Sequence, residues 1–121
     1  MHRILLVEDD PRVRKLYQLE LEEAGCAVRA TADVSEARRL TEVWHPDCVV
    51  MDIQLGEDNG LSLLRRLLER RPGMRAVLLS AYPGYQDDFA SWLADAFVLK
   101  SSDPAELIQK IEDLLGARMV V

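Results

Sequence analysis

The sequence predicts an α/β fold in which helices cover both faces of a doubly wound parallel sheet. Short apolar runs alternate with amphipathic helical patterns along the 121 residues. Runs that are apolar throughout are typical of strands buried on both faces, and their alternation with helices favours parallel pairing through right-handed crossovers. The length fits one domain, which we expect to cover residues 1–121.

The first three predicted strands are separated by helices with clear start and stop signals. Asp10 followed by Pro11 is a typical helix start, so we interpret Asp10 as a cap and not as a metal ligand. An apolar stripe at helical spacing supports this helix, at Val13, Leu16, Tyr17, Leu19 and Leu21. The predicted order is a strand over 3–7, a helix closed by Gly25, a strand over 26–30, a helix from Asp33 or Ser35 to about Val43, and a strand over 49–51.

The second half continues the same alternation. Leucines at helical spacing predict a third helix that Pro72 and Gly73 end, and Asp87 and Asp88 suit the first turn of a fourth. Asp103 followed by Pro104 caps the last helix. The predicted order is a helix from Leu61 to about Arg70, a strand over 76–79, a helix from Gln86 to about Leu93, a strand over 96–99, and a helix that ends before Gly116.

Composition and charge narrow the possible functions. The net charge of −6 disfavours direct binding of nucleic acid, because phosphate backbones are gripped by clustered Lys and Arg. No apolar run is long enough to cross a membrane, and the N-terminal run is too short for a signal peptide. Cys26 and Cys48 lie in or near apolar strands without metal-ligand spacing, which predicts buried, reduced thiols. We therefore expect a cytoplasmic protein without a membrane partner.

Charged and polar side chains follow four of the predicted strands. They are Glu8 and Asp9, Asp52, Ser80 and Lys100. Because the carboxyl ends of parallel strands meet at one crevice, we expect these side chains to converge there. Three carboxylates in one place favour a divalent cation such as Mg²⁺, and an added hydroxyl and ammonium favour an anion such as a phosphoryl group. Asp52 can then be a nucleophile.

Four segments together are specific for one known family. They are ILLVEDD at the start, VVMDIQLGEDNGL in the middle, VLLSA after the fourth strand and AFVLKS at the fifth. Over essentially its whole length, the chain resembles the receiver domain of a two-component response regulator. The resemblance implies a flavodoxin-like (βα)5 fold with strand order 2-1-3-4-5. It also implies a signalling switch that takes a phosphoryl group from a sensor histidine kinase or a histidine phosphotransfer protein.

The resemblance implies a role for each residue of the site. Asp52 would be the phosphoacceptor, and Ser80 and Lys100 would contact the phosphoryl oxygens. The chemistry would be limited to self-phosphorylation and autodephosphorylation, so the domain would not be a turnover enzyme. The implied Mg²⁺ ligands are Glu8, Asp9, the Asp52 carboxylate and the backbone carbonyl of Gln54.

The resemblance also implies switching and tuning residues. Phe97 would move with Ser80 on phosphorylation, although from its sequence position alone an ordinary core ring is the simpler interpretation. Ala81 would leave the phosphate accessible, while Gln54 and Tyr82 would tune its hydrolysis. We expect the Tyr82 ring to hinder attack by water. The face formed by the fourth helix, fifth strand and fifth helix would be remodelled, and it offers a surface for a homodimer.

Two positions depart from the family pattern. Ser101 follows Lys100 where the family often has a proline in a cis peptide, and Gly56 replaces the proline expected after Leu55. The candidate contacts for a kinase are Arg12, Val13, Lys15, Leu16 and residues 101–104.

Three other functions remain as alternatives. A phosphatase of the haloacid dehalogenase type needs a second Asp where Gln54 stands. A flavin carrier needs a phosphate-binding loop after the first strand, and the acidic EDDPRV sequence would repel a phosphate there. A pseudo-receiver adaptor that works without phosphorylation would normally have lost one of the site residues.

Overall fold

The five-stranded main sheet is parallel throughout, as the sequence predicts, and two short strands pair antiparallel beside it. The protein is described by a computed structural model, which describes residues 1–55, 58–81, 93–100 and 103–116. The strands are β1 Arg3–Val7, β2 Ala27–Thr31, β3 Cys48–Asp52, β4 Gln54–Leu55, β5 Asp58–Asn59, β6 Arg75–Ser80 and β7 Ala96–Leu99. The helices are α1 Pro11–Glu23, α2 Val34–Val43, α3 Gly60–Arg70 and α4 Pro104–Leu115.

The strand order of the main sheet is β2-β1-β3-β6-β7. Its five strands are the five that the sequence predicts, so the expected order 2-1-3-4-5 is confirmed. In register, Val7 pairs with Met51 and Asp52 with Leu79, while Ser80 pairs with Leu99. Because all neighbours are parallel, the carboxyl ends of β1, β3, β6 and β7 share one edge.

Capping aspartates begin three of the helices. The Asp10 carboxylate accepts hydrogen bonds from the backbone N–H groups of Arg12 and Val13, which confirms its capping role on α1. Asp33, and not Ser35, caps α2 by accepting from the N–H of Glu36 at 3.2 Å. The α4 cap is Asp103, with Pro104 in the first turn.

Two apolar layers cover the faces of the sheet. One packs α2 and α3 against the sheet, with Leu64 and Met51 fully buried. The other packs α1 and α4 against the opposite face, with Leu21 and Ile111 fully buried. Burying these side chains stabilises the fold by about 2 kcal/mol each.

Both cysteines are buried and unbridged, as predicted. Burial raises the pKa of the Cys26 thiol and also that of the Cys48 thiol. Among the described residues, no helix combines the length and the apolar character that crossing a membrane requires.

The first half differs from the sequence prediction in strand bounds and in the burial of α1. β2 is shifted by one residue, to Ala27–Thr31, and β3 is one residue longer at each end, Cys48–Asp52. The predicted apolar stripe of α1 is only partly buried, because Leu16 and Leu19 are 48% and 46% exposed. Only one side of α1 meets the sheet and α4, and on that side Tyr17 and Leu21 are buried.

Most of the predicted fourth helix, 86–93, lies outside the described residues, and Leu93 packs against the layer that contains α3.

Candidate functional site

The predicted side chains converge at the carboxyl edge of the sheet. Glu8 follows β1, Asp52 ends β3 and Ser80 ends β6, and all three are buried, with exposures of 0%, 3% and 2%. Asp9 is exposed, and Lys100 after β7 is half-buried. Buried charged groups are costly unless they are paired, so this edge of the sheet is a functional site candidate.

Both oxygens of the Asp52 carboxylate accept hydrogen bonds. The Lys100 ammonium donates to Oδ2 at 2.7 Å, and the backbone N–H of Gln54 donates to Oδ1 at 3.1 Å. Lys100 follows β7, and Gln54 lies in the chain that follows β3. Together they fix the carboxylate at the base of the crevice.

The Glu8 carboxylate is fully buried beside the same lysine. Its Oε2 accepts from the N–H of Asp10 at 3.0 Å. Its Oε1 lies 2.9 Å from the Lys100 ammonium, but it receives no well-aligned hydrogen bond from the part of the chain that the structure describes. Burial raises the pKa of Glu8 to about 7, and the contacts with Lys100 and Asp10 offset only part of this effect.

Lys100 therefore links two carboxylates. Burial by itself would lower the pKa of Lys100, but the hydrogen bond to Asp52 and the close contact with the Glu8 carboxylate reverse the effect, and its pKa is raised. The ammonium stays charged at neutral pH. In this arrangement Lys100 acts as the counter-ion of the two buried acids.

The carboxylates could hold a metal ion. Among the described residues, Glu8, Asp9 and Asp52 each offer an oxygen, and these oxygens lie within 4.8 Å of one another. The incompletely bonded Oε1 of Glu8 supports the same interpretation, since a buried acceptor without a good donor is suited to a cation. The Gln54 backbone lies beside Asp52, and its carbonyl as a ligand stays a prediction.

An open cavity leads to these groups. Its volume is about 580 Å³, and its lining contains three acids, two cations and the small residue Ala81, which is exposed. The lining residues are Asp9, Asp10, Pro11, Arg12, Asp52, Gln54, Ser80, Ala81 and Lys100.

The predicted switch and tuning positions are only partly described. Phe97 on β7 is half-buried and packs at the margin of the layer that contains α3. Tyr82, Gly56 and Ser101 lie outside the described residues. The roles predicted for Phe97, Ala81 and Tyr82 stay predictions.

Gly60 fixes the backbone that carries Asp52. Its N–H donates to the carbonyl of Ile53 at 2.6 Å, so the start of α3 lies directly against the chain after β3. A Cβ at this position would collide with the backbone oxygen of Asp52 and would lie 2.9 Å from that of Ile53. Only glycine allows this approach without moving the backbone of the site.

Gly60→Ala is expected to lower the free energy of unfolding by about 2 to 3 kcal/mol, because the backbone of Asp52 must shift to admit the methyl group. Urea unfolding measures this loss. Gly73→Ala is the matched control, since a Cβ at Gly73 would meet no atom within 4 Å. Equal stabilities of the two variants would contradict the close approach.

Two residues of α1 that the sequence does not assign to the site also support it. The Arg14 guanidinium donates to the carbonyl of Glu8 at 2.8 Å. The Tyr17 hydroxyl donates to the carbonyl of Lys100 at 3.3 Å. Both bonds go to backbone atoms, and the sequence shows no signal for them, since a Tyr at helical spacing is typical of a core position.

A family model described as the response regulator receiver domain matches residues 4–112. The virulence transcriptional regulatory protein PhoP of Salmonella choleraesuis is 32% identical over 117 residues, which are 95% of this chain and 52% of PhoP. The chain thus spans about half the length of the curated relatives it matches.

Solved structures give the same likeness. The response regulator TrrA of Thermotoga maritima in complex with Mg²⁺-BeF is 33% identical, with a TM-score of 0.87 over 94% of this chain and 99% of TrrA. TrrA in complex with the histidine kinase ThkA is 34% identical, with a TM-score of 0.86 over 95% of this chain and 99% of TrrA.

Proposed function

The chain belongs to the response regulator receiver family, and from this premise we propose that it is a signalling switch in which Asp52 accepts a phosphoryl group. One observation carries the assignment to Asp52. Its buried carboxylate lies at the base of an open polar cavity, 2.7 Å from the Lys100 ammonium. We also propose that residues 1–121 form a single receiver domain, whose chemistry is limited to self-phosphorylation and autodephosphorylation.

In the proposed reaction, an oxygen of Asp52 attacks the phosphorus of a phosphohistidine. The new O–P bond forms as the P–N bond breaks, and the imidazole of the donor keeps the electron pair and takes up a proton. Lys100 would exchange a carboxylate contact for a phosphoryl oxygen, and the Ser80 hydroxyl would donate to another. Ser80 ends β6, which pairs with β3, and Lys100 follows β7, which pairs with β6. Both side chains therefore already lie at the same edge of the sheet as Asp52, and the sheet need not rearrange.

The proposed metal is Mg²⁺. Its ligands would be Glu8, Asp9, Asp52 and the backbone carbonyl of Gln54, a set of hard oxygen donors that suits this ion. The TrrA complex with Mg²⁺-BeF supports the choice. When bound, Mg²⁺ supplies positive charge that offsets the charges of the carboxylates and of the phosphoryl oxygens.

We propose that Ser80 and Phe97 transmit the change. A phosphoryl group adds charge and acceptor oxygens, which draw the Ser80 hydroxyl toward it. Phe97 is only half-buried and lies on an edge strand, which supports a movable ring more than a fixed core position would. Gln54 and Ala81 line the cavity through which water would reach the phosphate, which supports tuning roles for them, and Tyr82 is proposed for the same role.

The proposed donor is a sensor histidine kinase or a histidine phosphotransfer protein. TrrA is known in complex with the kinase ThkA, which supports this partner class. On this chain the candidate surface includes Leu16, whose 48% exposure leaves an apolar contact on α1 beside Arg12 and Lys15, both exposed. A homodimer through the face that contains β7 and α4 is a further proposal.

Phosphorylation with phosphoramidate tests the assignment. We expect Mg²⁺-dependent addition of one phosphoryl group, located by mass spectrometry in the peptide that contains Asp52 and removed by hydroxylamine, as expected of an acyl phosphate. Labelling of a different residue, or labelling that EDTA leaves unchanged, would contradict the proposal.

Mg²⁺ binding is expected to weaken about tenfold per pH unit as the pH falls below about 7. Burial raises the pKa of Glu8 to about 7, so below this pH the proton competes with the metal for the carboxylate, and above it the carboxylate is free to bind. Mg²⁺ titrations between about pH 5.5 and 7.5 measure the slope. In Glu8→Gln the slope is expected to disappear together with most of the affinity, and an unchanged slope would refute the assignment to Glu8.

A further inference from the structure

We propose that Arg14 and Tyr17 are positioning residues on one helix. Arg14 holds the backbone of the acidic residues Glu8 and Asp9, and Tyr17 holds the backbone of Lys100. The inference rests on the proposed function and assigns roles to two side chains that do not line the cavity. They are three residues apart on α1, so they lie on neighbouring positions of the same helix face.

Arg14 holds the loop that carries the proposed metal ligands. One of its guanidinium nitrogens donates to the carbonyl of Glu8 at 2.8 Å and lies 3.5 Å from the carbonyl of Asp9. The N–H of Glu8 donates to the carbonyl of Thr31 at 3.0 Å. The backbone of Glu8 is therefore held both by α1 and by β2. The bond from Arg14 is the stronger of the two, because its donor is charged.

Tyr17 holds the residue that carries the ammonium. Its side chain is 2% exposed, and its hydroxyl donates to the carbonyl of Lys100 at 3.3 Å. The N–H of Lys100 donates to the carbonyl of Ser80 at 2.8 Å. Burial raises the pKa of the Tyr17 phenol, so it stays protonated as a donor at neutral pH.

The contacts of Arg14 and Tyr17 hold two oppositely charged residues, Glu8 and Lys100, from the same helix. The Glu8 carboxylate and the Lys100 ammonium lie 2.9 Å apart, yet they follow strands β1 and β7, which are not neighbours in the sheet. α1 contacts the backbone of both residues from one face. Arg14 should therefore govern metal binding, and Tyr17 should govern how Lys100 meets the phosphoryl group.

Arg14→Gln tests the first role. We expect the Mg²⁺ dissociation constant to rise about tenfold, with the phosphoramidate labelling rate at saturating Mg²⁺ within about twofold of the wild type. Arg39→Gln is the matched control, because it makes the same substitution at an exposed position of α2 and should leave the affinity within about twofold. Arg14→Lys keeps a charged donor and is expected to recover part of the affinity.

Tyr17→Phe tests the second role, since the ring that packs in the core remains and only the hydroxyl is lost. We expect the labelling rate at saturating Mg²⁺ to fall about threefold or more, while the Mg²⁺ dissociation constant stays within about twofold. A purely structural role would lower the melting temperature without separating these two constants.

The outcomes distinguish the proposals. Equal effects of Arg14→Gln and Arg39→Gln, or a Tyr17→Phe variant with the wild-type labelling rate, would overturn the corresponding positioning role while the wild type still takes the phosphoryl group. A wild-type protein without Mg²⁺-dependent labelling would overturn both the proposed function and the positioning roles. A weaker Mg²⁺ affinity without a slower labelling rate in Arg14→Gln, and a slower rate without a weaker affinity in Tyr17→Phe, would support the positioning roles.

Discussion

Asp52→Asn is expected to abolish Mg²⁺-dependent phosphorylation, lowering the labelling rate by at least about a thousandfold. The amide has nearly the same shape as the carboxylate, but it is not a competent nucleophile, and it removes one charge from the proposed metal site. The amide can still accept the hydrogen bond that the N–H of Gln54 makes with Asp52. The fold should therefore persist while the chemistry is lost.

Intact-protein mass spectrometry after incubation with phosphoramidate measures the loss. Asp47→Asn provides the matched control, because Asp47 precedes the opposite end of β3 and its carboxylate accepts from the backbone of Arg3, far from the cavity residues. We expect this control to be labelled at the wild-type rate. Labelling that survives in Asp52→Asn would place the phosphoacceptor elsewhere.

Lys100→Met is expected to lower the stability of the metal-free protein by about 3 to 5 kcal/mol. The ammonium is 2.9 Å from Glu8 and 2.7 Å from Asp52, and both carboxylates are buried, so its removal leaves two acids without their cation. Mg²⁺ can take over that role. We therefore expect Mg²⁺ to recover most of the lost stability and to bind at least about tenfold more tightly than in the wild type, where the lysine competes for the same oxygens.

Urea unfolding with and without Mg²⁺ separates these effects. Lys110→Met is the matched control, since Lys110 is an exposed residue of α4 and its replacement should change stability by less than about 1 kcal/mol. The interpretation of Lys100 as the internal counter-ion would be wrong if Mg²⁺ stabilised both variants equally.

The sequence was sufficient to predict the sheet and the residues at its carboxyl edge. Continuous apolar runs such as 4–7 are typical of strands buried between two layers, and each predicted run ends at a charged or polar residue. Parallel pairing then requires Glu8, Asp52 and Lys100 to share one edge, whatever the details of the helices. The structure confirms this convergence.

Other features leave no pattern in the sequence. The hairpin of β4 and β5 between Asp52 and α3 is formed by two pairs of residues, too few for any periodicity. The bonds from Arg14 and Tyr17 end on backbone carbonyls, which every residue has. The exposed Leu16 and Leu19 fit the helical period, and only the packing of α1 shows which part of its apolar surface meets the sheet.

The uneven burial of the strands has a consequence for amide hydrogen exchange. Every residue of β3 is buried, whereas in β7 only Val98 is buried and the other three residues are half-buried at the edge of the sheet. The amides of β3 should then exchange mainly through global unfolding, and those of β7 through smaller local openings. We thus expect the carboxylate of Asp52 to be attached to a slowly exchanging strand, while the strand that carries Phe97 is expected to open locally.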